Sequence, residues 1–271
     1  MNFSQVDNKN KVYSFLKLKG KIWESQYAHF AIGLKAFAKI SVPKASVLDI
    51  GCGAGGLTAL WQENLPGFIF EGVDISEKAI KLARKFYPEI KFDATSAEAV
   101  GKTTKKYDAV SICEVVEHVK DPKKVLKNIY KILKKDGILY LTTQLEGDKN
   151  TLLGKIYGSR GIEPKEKIAG HIQIFTENSI KKLVRDSGFK IMETYYNCHL
   201  LGQIADLVYT VYLRRKNAEV LSLTDNLQKK GGLKESLGFF CISIIAFIRN
   251  FETLFLRKRV GLGIQIIARK K

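Results

Sequence analysis

The chain has 271 residues, an apolar share ordinary for a globular protein and a net charge of +18. That length can bury a full α/β core, as one domain or as a domain with an appendage. A basic excess of this size fits nucleic acid, an anionic membrane surface or a lysine-rich source. Many of the lysines (Lys78, Lys81, Lys85; Lys123, Lys124, Lys127, Lys131) fall at exposed helical spacing, which favours a solvated surface. The four cysteines, Cys52, Cys113, Cys198 and Cys241, form no CxxC pair and argue against a zinc ribbon or a disulfide framework, so a reducing compartment is expected. The N-terminus lacks the layout of a secretory signal. The longest apolar run, Leu237 to Ile248, is short of the ~20 residues that span a bilayer. The expected location is cytoplasmic, in solution or peripheral to a membrane.

Residues 1–43 place Trp23, Tyr27, Phe30, Leu34 and Phe37 at helical spacing and predict a helical cap ending at Pro43. It would lie over a ligand mouth or pack on a sheet. The apolar stretch Val47 to Ile50 reads as a strand, and Gly51, Gly53, Gly55 and Gly56 follow it. Glycines permit positive φ and close backbone approach, so this is a strand-to-helix turn around a small molecule, with a helix over about 57–64 aiming its N-terminus at that ligand. Phe68 to Asp74 predicts a second strand, and Ser76 caps a helix to about Tyr87. Ile90–Thr95 and Tyr107–Ile112 are further strands. Asp121-Pro122 starts a helix to about Leu133, and Ile138–Thr143 is the fifth strand. Residues 144–170 show no periodicity and predict a long loop, which His171 to Phe175 closes. Thr176 caps a helix ending at Gly188, and Phe189–Tyr196 is a strand. His199–Arg214 and Leu237–Ile248 predict apolar helices with basic flanks, and Gly261–Ala268 a last strand. The alternation predicts a doubly wound, mostly parallel sheet. The chain divides into a helical N-terminal cap (1–43), an α/β core (44–198), an apolar helical insertion (199–259) and a last strand (260–271) that completes the sheet.

The spacing Gly51-x-Gly53-x-x-Gly56 also matches the dinucleotide fingerprint. Asp49 decides against it. A carboxylate under the turn repels a pyrophosphate but welcomes the ammonium and sulfonium of S-adenosylmethionine (SAM). Asp74 follows Gly51 by roughly the 20 residues at which α/β nucleotide sites place an acid on ribose hydroxyls. A carboxylate accepts two hydrogen bonds from such a pair.

Glu114, Glu117 and His118 stand at i, i+3 and i+4, which share one face of a helical turn, at the sheet edge where α/β folds bind ligands. With His171 returning from the long loop they could hold a divalent cation, magnesium or zinc, that lowers the pKa of an acceptor hydroxyl. Alternatively His118 acts as a general base without metal. A solvated helix face with a structural histidine is the plainer reading.

Leu48-Asp49-Ile50-Gly51-Cys52-Gly53-Ala54-Gly55 resembles motif I of the class I SAM-dependent methyltransferases. Together with Glu114-Val115-Val116-Glu117-His118-Val119, the segment from Val47 to Phe189 is similar to the ubiquinone-biosynthesis O-methyltransferases. The resemblance implies a Rossmann-like α/β fold with seven strands, with Asp49, Gly51, Cys52, Gly53, Asp74, Ile75, Ser96, Ala97 and Cys113 around the cofactor. It implies transfer to oxygen, with Glu114, Glu117 and His118 acting on a small acceptor. A similar Glu-x-x-Glu-His with a later histidine occurs in the small-RNA 2′-O-methyltransferases, where it binds magnesium. RNA 2′-O-methylation is therefore the alternative enzyme reading, with nucleic acid the less favoured partner because no RNA module accompanies the core. SAM binding without turnover, in a regulatory role, is a third. The 199–259 insertion departs from the quinone enzymes. Its apolar run suits a core or dimer-interface helix; with its basic flanks it also suits peripheral contact of 233–259 with an anionic membrane, and hence a lipophilic acceptor.

Overall fold

The structure is a computed structural model that describes residues 27–160, 170–205 and 247–271. The expectations for residues 1–26, for 206–214 and for most of the apolar run, 237–246, lie outside the described residues. In chain order the elements are α1 (Tyr27–Phe37), β1 (Ala45–Ile50), α2 (Gly56–Asn64), β2 (Phe68–Asp74), α3 (Glu77–Phe86), β3 (Lys91–Ala94), β4 (Tyr107–Cys113), α4 (Pro122–Ile132), β5 (Leu133–Gln144), α5 (Leu152–Arg160), α6 (Glu177–Asp186), β6 (Phe189–Asn197) and β7 (Gly263–Lys270).

Side chains that alternate along the strands are apolar in both directions, so each sheet face must be covered by helices. On one face Phe37 of α1 and Trp61 of α2 meet edge to face at 5.1 Å and pack with Phe70 and Tyr140. The Trp61 indole N–H donates to the Phe30 carbonyl at 3.1 Å. The described part of the N-terminal segment is thus a sheet-packing helix. On the other face Val125, Leu126 and Ile129 of α4 and Ile180 and Val184 of α6 cover Leu48, Val110, Ile112, Leu139 and Ile266. Local caps match the sequence. Ser76 accepts the Ala79 N–H, Asp121 the Lys124 N–H with Pro122 behind it, and Thr176 and Ser179 form a reciprocal capping box.

The seven strands run in the order β3-β2-β1-β4-β5-β7-β6. β1 to β5 are parallel, and β7 is antiparallel to both β5 and β6. The connection reverses direction between β1 and β4, so the crevice at their carboxyl ends is where such a sheet binds its ligand.

The expected loop over 144–170 contains a helix, α5. Thr151 Oγ1 accepts the Gly154 N–H at 2.9 Å, and Gln203 Oε1 accepts the Leu153 N–H at 3.1 Å. Leu153 is buried against Leu262. The contacts with Gln203 and Leu262 come from residues 50 or more positions away, beyond the reach of the local pattern. Of the apolar insertion, 200–205 and 247–256 are helical and lie side by side, with the N–H groups of Leu201 and Gly202 donating to Glu252. Phe247, Phe251 and Phe255 follow one another along the outer face with ring centroids 5.8 and 5.0 Å apart, and all three are exposed. No described helix is long and apolar enough to cross a membrane.

Candidate active site at the carboxyl edge of the sheet

β1 delivers its last residues into a turn in which Gly51, Gly53 and Gly55 all take positive φ (77°, 54° and 80°). Close packing explains two of them. A Cβ on Gly51 would stand 2.1 Å from Val115 Cγ2, and one on Gly55 2.7 Å from the Phe92 ring. Gly53 differs: nothing lies within 4 Å of a Cβ built there. Its backbone fronts open space of the kind a ligand fills. The turn is pinned to the end of β2, since Gly51 and Cys52 both donate to the Val73 carbonyl (2.7 and 3.1 Å) and Gly53 N donates to Asp74 Oδ2 at 2.9 Å. Asp74 Oδ1 accepts the Ser76 N–H at 2.8 Å. Each carboxylate oxygen retains a lone pair for a further donor.

Asp49 lies beneath the turn, 3% exposed, and accepts from Thr58 Oγ1 at 2.6 Å and Ser111 Oγ at 2.7 Å. Burial pushes its carboxyl up to about 6, against the pull of those two hydroxyls. The Cys52 side chain packs with Phe92 and Ala83 in the core, so toward a ligand it offers backbone only. Cys113 leans on the α1–α2 cluster, and burial raises its thiol well above the ordinary range. Ile75 is 76% exposed beside Asp74, Ser96 is half-buried and Ala97 is buried just past β3.

The expected helical face of Glu114, Glu117 and His118 does not form. Glu114 has φ 53°, in the left-handed region, and a turn rather than a helix follows. The chain reverses sharply here because Glu114 N remains tied to the Thr142 carbonyl on β5. Glu114 instead accepts from Thr142 Oγ1 and Gln144 Nε2. It falls outside the metal-sized group, which comprises Glu117, His118 and His171, with one ligand atom from each within 4.8 Å of the others. His171 joins it because Ile172 N and Gln173 N both donate to the Glu117 carbonyl (2.9 and 3.0 Å).

Glu117 is 1% exposed; its Oε2 accepts from Thr143 Oγ1 at 3.0 Å, while Oε1 is buried with no hydrogen-bond partner among the described residues. Burial, reinforced by the charge of Glu114, lifts the Glu117 carboxyl well above the usual carboxylate range. An unsatisfied buried oxygen next to two imidazoles suits a cation, and one carboxylate with two histidines is a donor set that divalent ions accept. Sequence reasoning missed Glu146. Its Oε2 lies 3.2 Å from His171 Nδ1, and both residues are buried. An acid two residues past β5, at the ligand edge of the sheet, is the signal that could have pointed to it.

A methyltransferase-domain family model matches residues 23–194. Among curated relatives, a ubiquinone biosynthesis O-methyltransferase of Caulobacter vibrioides is 37% identical over 116 residues, covering 41% of this chain and 45% of that protein. One from Coxiella burnetii is 31% identical over 109 residues, 39% of this chain and 46% of that protein. The matched region thus spans less than half the length of these relatives. The structure of the plantazolicin methyltransferase BamL, solved with a triazolic desmethylPZN analog and SAH, has a TM-score of 0.54 at 16% identity over 96% of this chain and 90% of that one. It shares the fold. With a glycine turn pinned over a buried acid, an acid ending β2 and a family match across most of the chain, the protein belongs to the class I SAM-dependent methyltransferases.

Proposed function

We propose that this methyltransferase transfers the methyl of SAM to a hydroxyl oxygen of a small, apolar acceptor, with Glu117, His118 and His171 preparing that oxygen. The observation that carries the reading is the convergence of those three side chains, two of them on the turn whose Val115 packs on Gly51. Asp49, Gly51, Gly53 and Asp74 hold the cofactor, Asp74 through the ribose hydroxyls. Ile75, Ser96 and Ala97 flank the adenine, Cys52 contributes main chain, and Cys113 lines the methyl side.

An alcohol or phenol attacks a sulfonium well only when it is aimed in line and relieved of its proton. His118 Nδ1 lies 3.0 Å from the Gly170 carbonyl and His171 Nδ1 is held by Glu146, so each ring keeps Nε2 to accept a proton or a ligand. Magnesium or zinc bound by Glu117, His118 and His171 would lower the pKa of the acceptor hydroxyl. Glu117 Oε1, without a partner among the described residues, would gain one. Glu114 is left out of this set and braces the turn from β5.

The names of the quinone-pathway relatives support oxygen as the target. A lipophilic acceptor is supported by the exposed phenylalanines of 247–256, followed by exposed Arg257, Lys258 and Arg259, a surface suited to anionic lipid.

The test is transfer of labelled methyl from SAM to hydroxylated lipids in anionic vesicles and, in parallel, to RNA, with magnesium, zinc or chelator present. Label is expected on lipid hydroxyls. Asp74→Ala should weaken SAM binding at least about tenfold. His118→Ala and His171→Ala should leave SAM binding intact and lower kcat by about 10²–10⁴. Label on RNA alone, or equal loss of SAM affinity in all three variants, would overturn the reading.

A further inference from the structure

Three loops meet at the cluster, and Glu146 stands beside it as the buried partner of His171 Nδ1. Glu146 is 3% exposed and His171 6% exposed, and they approach across 25 positions of sequence. Each is held independently. Leu145 N donates to the Leu262 carbonyl at 2.6 Å and Gly147 N to the Phe175 carbonyl at 3.0 Å, so the main chain on both sides of Glu146 is clamped. His171 is fixed by the two N–H groups that follow it, both bonded to the Glu117 carbonyl. The His171 ring packs edge-on to His118, with centroids 4.8 Å apart and planes at 80°.

We propose that Glu146 is the positioning residue of this site: its carboxylate accepts a hydrogen bond from the Nδ1–H of His171 and thereby fixes the tautomer whose Nε2 lone pair serves the cluster. The proposal rests on the reading of Glu117, His118 and His171 as the acceptor-preparing group. A neutral imidazole has one donor and one acceptor nitrogen, and the hydrogen bond at one decides the role of the other. A carboxylate accepts only, so Glu146 leaves no ambiguity at Nδ1. It also orients the ring and strengthens Nε2 as an electron-pair donor, the function that carboxylates behind histidine ligands perform in metal sites. The Gly170 carbonyl does the same for His118 from an exposed position, but without charge and from a chain that a substitution cannot alter. Glu146 is thus the adjustable half of the arrangement.

The experiment uses Glu146→Gln and Glu146→Leu in the full chain. Only four histidines are present, so side-chain ¹⁵N spectra can be assigned with His171→Ala as the reference. Wild type should show His171 protonated at Nδ1. Glu146→Gln should keep that tautomer, because the amide oxygen accepts the same proton, and should retain most turnover. Glu146→Leu should show mixed tautomers, a kcat lower by about 10–100-fold, weaker binding of zinc alone by calorimetry and unchanged SAM affinity. A wild-type His171 protonated at Nε2 overturns the inference, as does a Glu146→Leu variant with the wild-type tautomer. Both results are independent of the acceptor. Full turnover in His171→Ala would instead overturn the functional reading while leaving the tautomer assignment standing.

Discussion

Asp49 shows how one buried side chain couples the cofactor to the fold. Its carboxyl ionises at 3.8 in an unfolded chain and at about 6 here, because burial disfavours the charge more than Thr58 and Ser111 favour it. The folded protein therefore holds this proton more tightly than the unfolded one. In SAM-free protein the contribution of Asp49 to stability is most favourable below its unfolded value and declines as pH rises to about 6, by at most about 3 kcal/mol. A cation bound above it works in the opposite sense, since it favours the ionised form. We expect SAM affinity to rise as pH increases from about 5 to 7, and Asp49→Asn to flatten that rise, both measured by calorimetry. An unchanged pH profile in Asp49→Asn would place the ammonium elsewhere. Glu117 is displaced in the same direction, its carboxyl raised by burial first and by the charge of Glu114 second.

At the scale of elements, the glycine turn separates packing from binding. Gly51 and Gly53 both have positive φ, but only Gly51 is crowded. Gly51→Ala combines backbone strain with a clash against Val115 and should cost about 2–5 kcal/mol in denaturant titration. Gly53→Ala meets only the strain, about 1–2 kcal/mol, yet should weaken SAM binding more than its stability loss explains, since its methyl would enter the open space. Loss of SAM affinity no greater at Gly53 than at Gly51 would count against a ligand in that space. The first described helix, α1, is anchored by another device. Lys35 and Lys39 bind Glu193 on β6, holding its carboxyl down at about 2 and tying α1 across the sheet.

On the scale of the whole molecule, the carboxyl edge of the sheet and the apolar helix lie on one chain but answer to different neighbours. The exposed Phe251 and Phe255 have no core to enter among the described residues. A phenylalanine withdrawn from water contributes about 1.5–3 kcal/mol, and each basic residue beside anionic lipid about 1 kcal/mol. We expect the chain to co-sediment with anionic vesicles. Phe251→Ser with Phe255→Ser should reduce that binding at least about tenfold without changing SAM affinity. Equal sedimentation of wild type and double variant would remove the membrane from the account.

Sequence alone was enough for the sheet, the order of its parallel strands' elements, the caps and the glycine turn. Each is written in local patterns: apolar strands, Ser76, Asp121-Pro122 and Thr176 before helices, and glycines where φ must be positive. It also grouped Glu114, Glu117 and His118 by their i, i+3, i+4 spacing and added His171 as a fourth candidate ligand. It could not show that Glu114 turns away while His171 comes in, because that depends on the tie from Glu114 to Thr142 and on the chain beyond His171 bonding to Glu117. Nor could it show α5, whose buried face is completed by Gln203 and Leu262. Glu146 offered only its place two residues past β5, and tertiary structure alone brings a histidine to it.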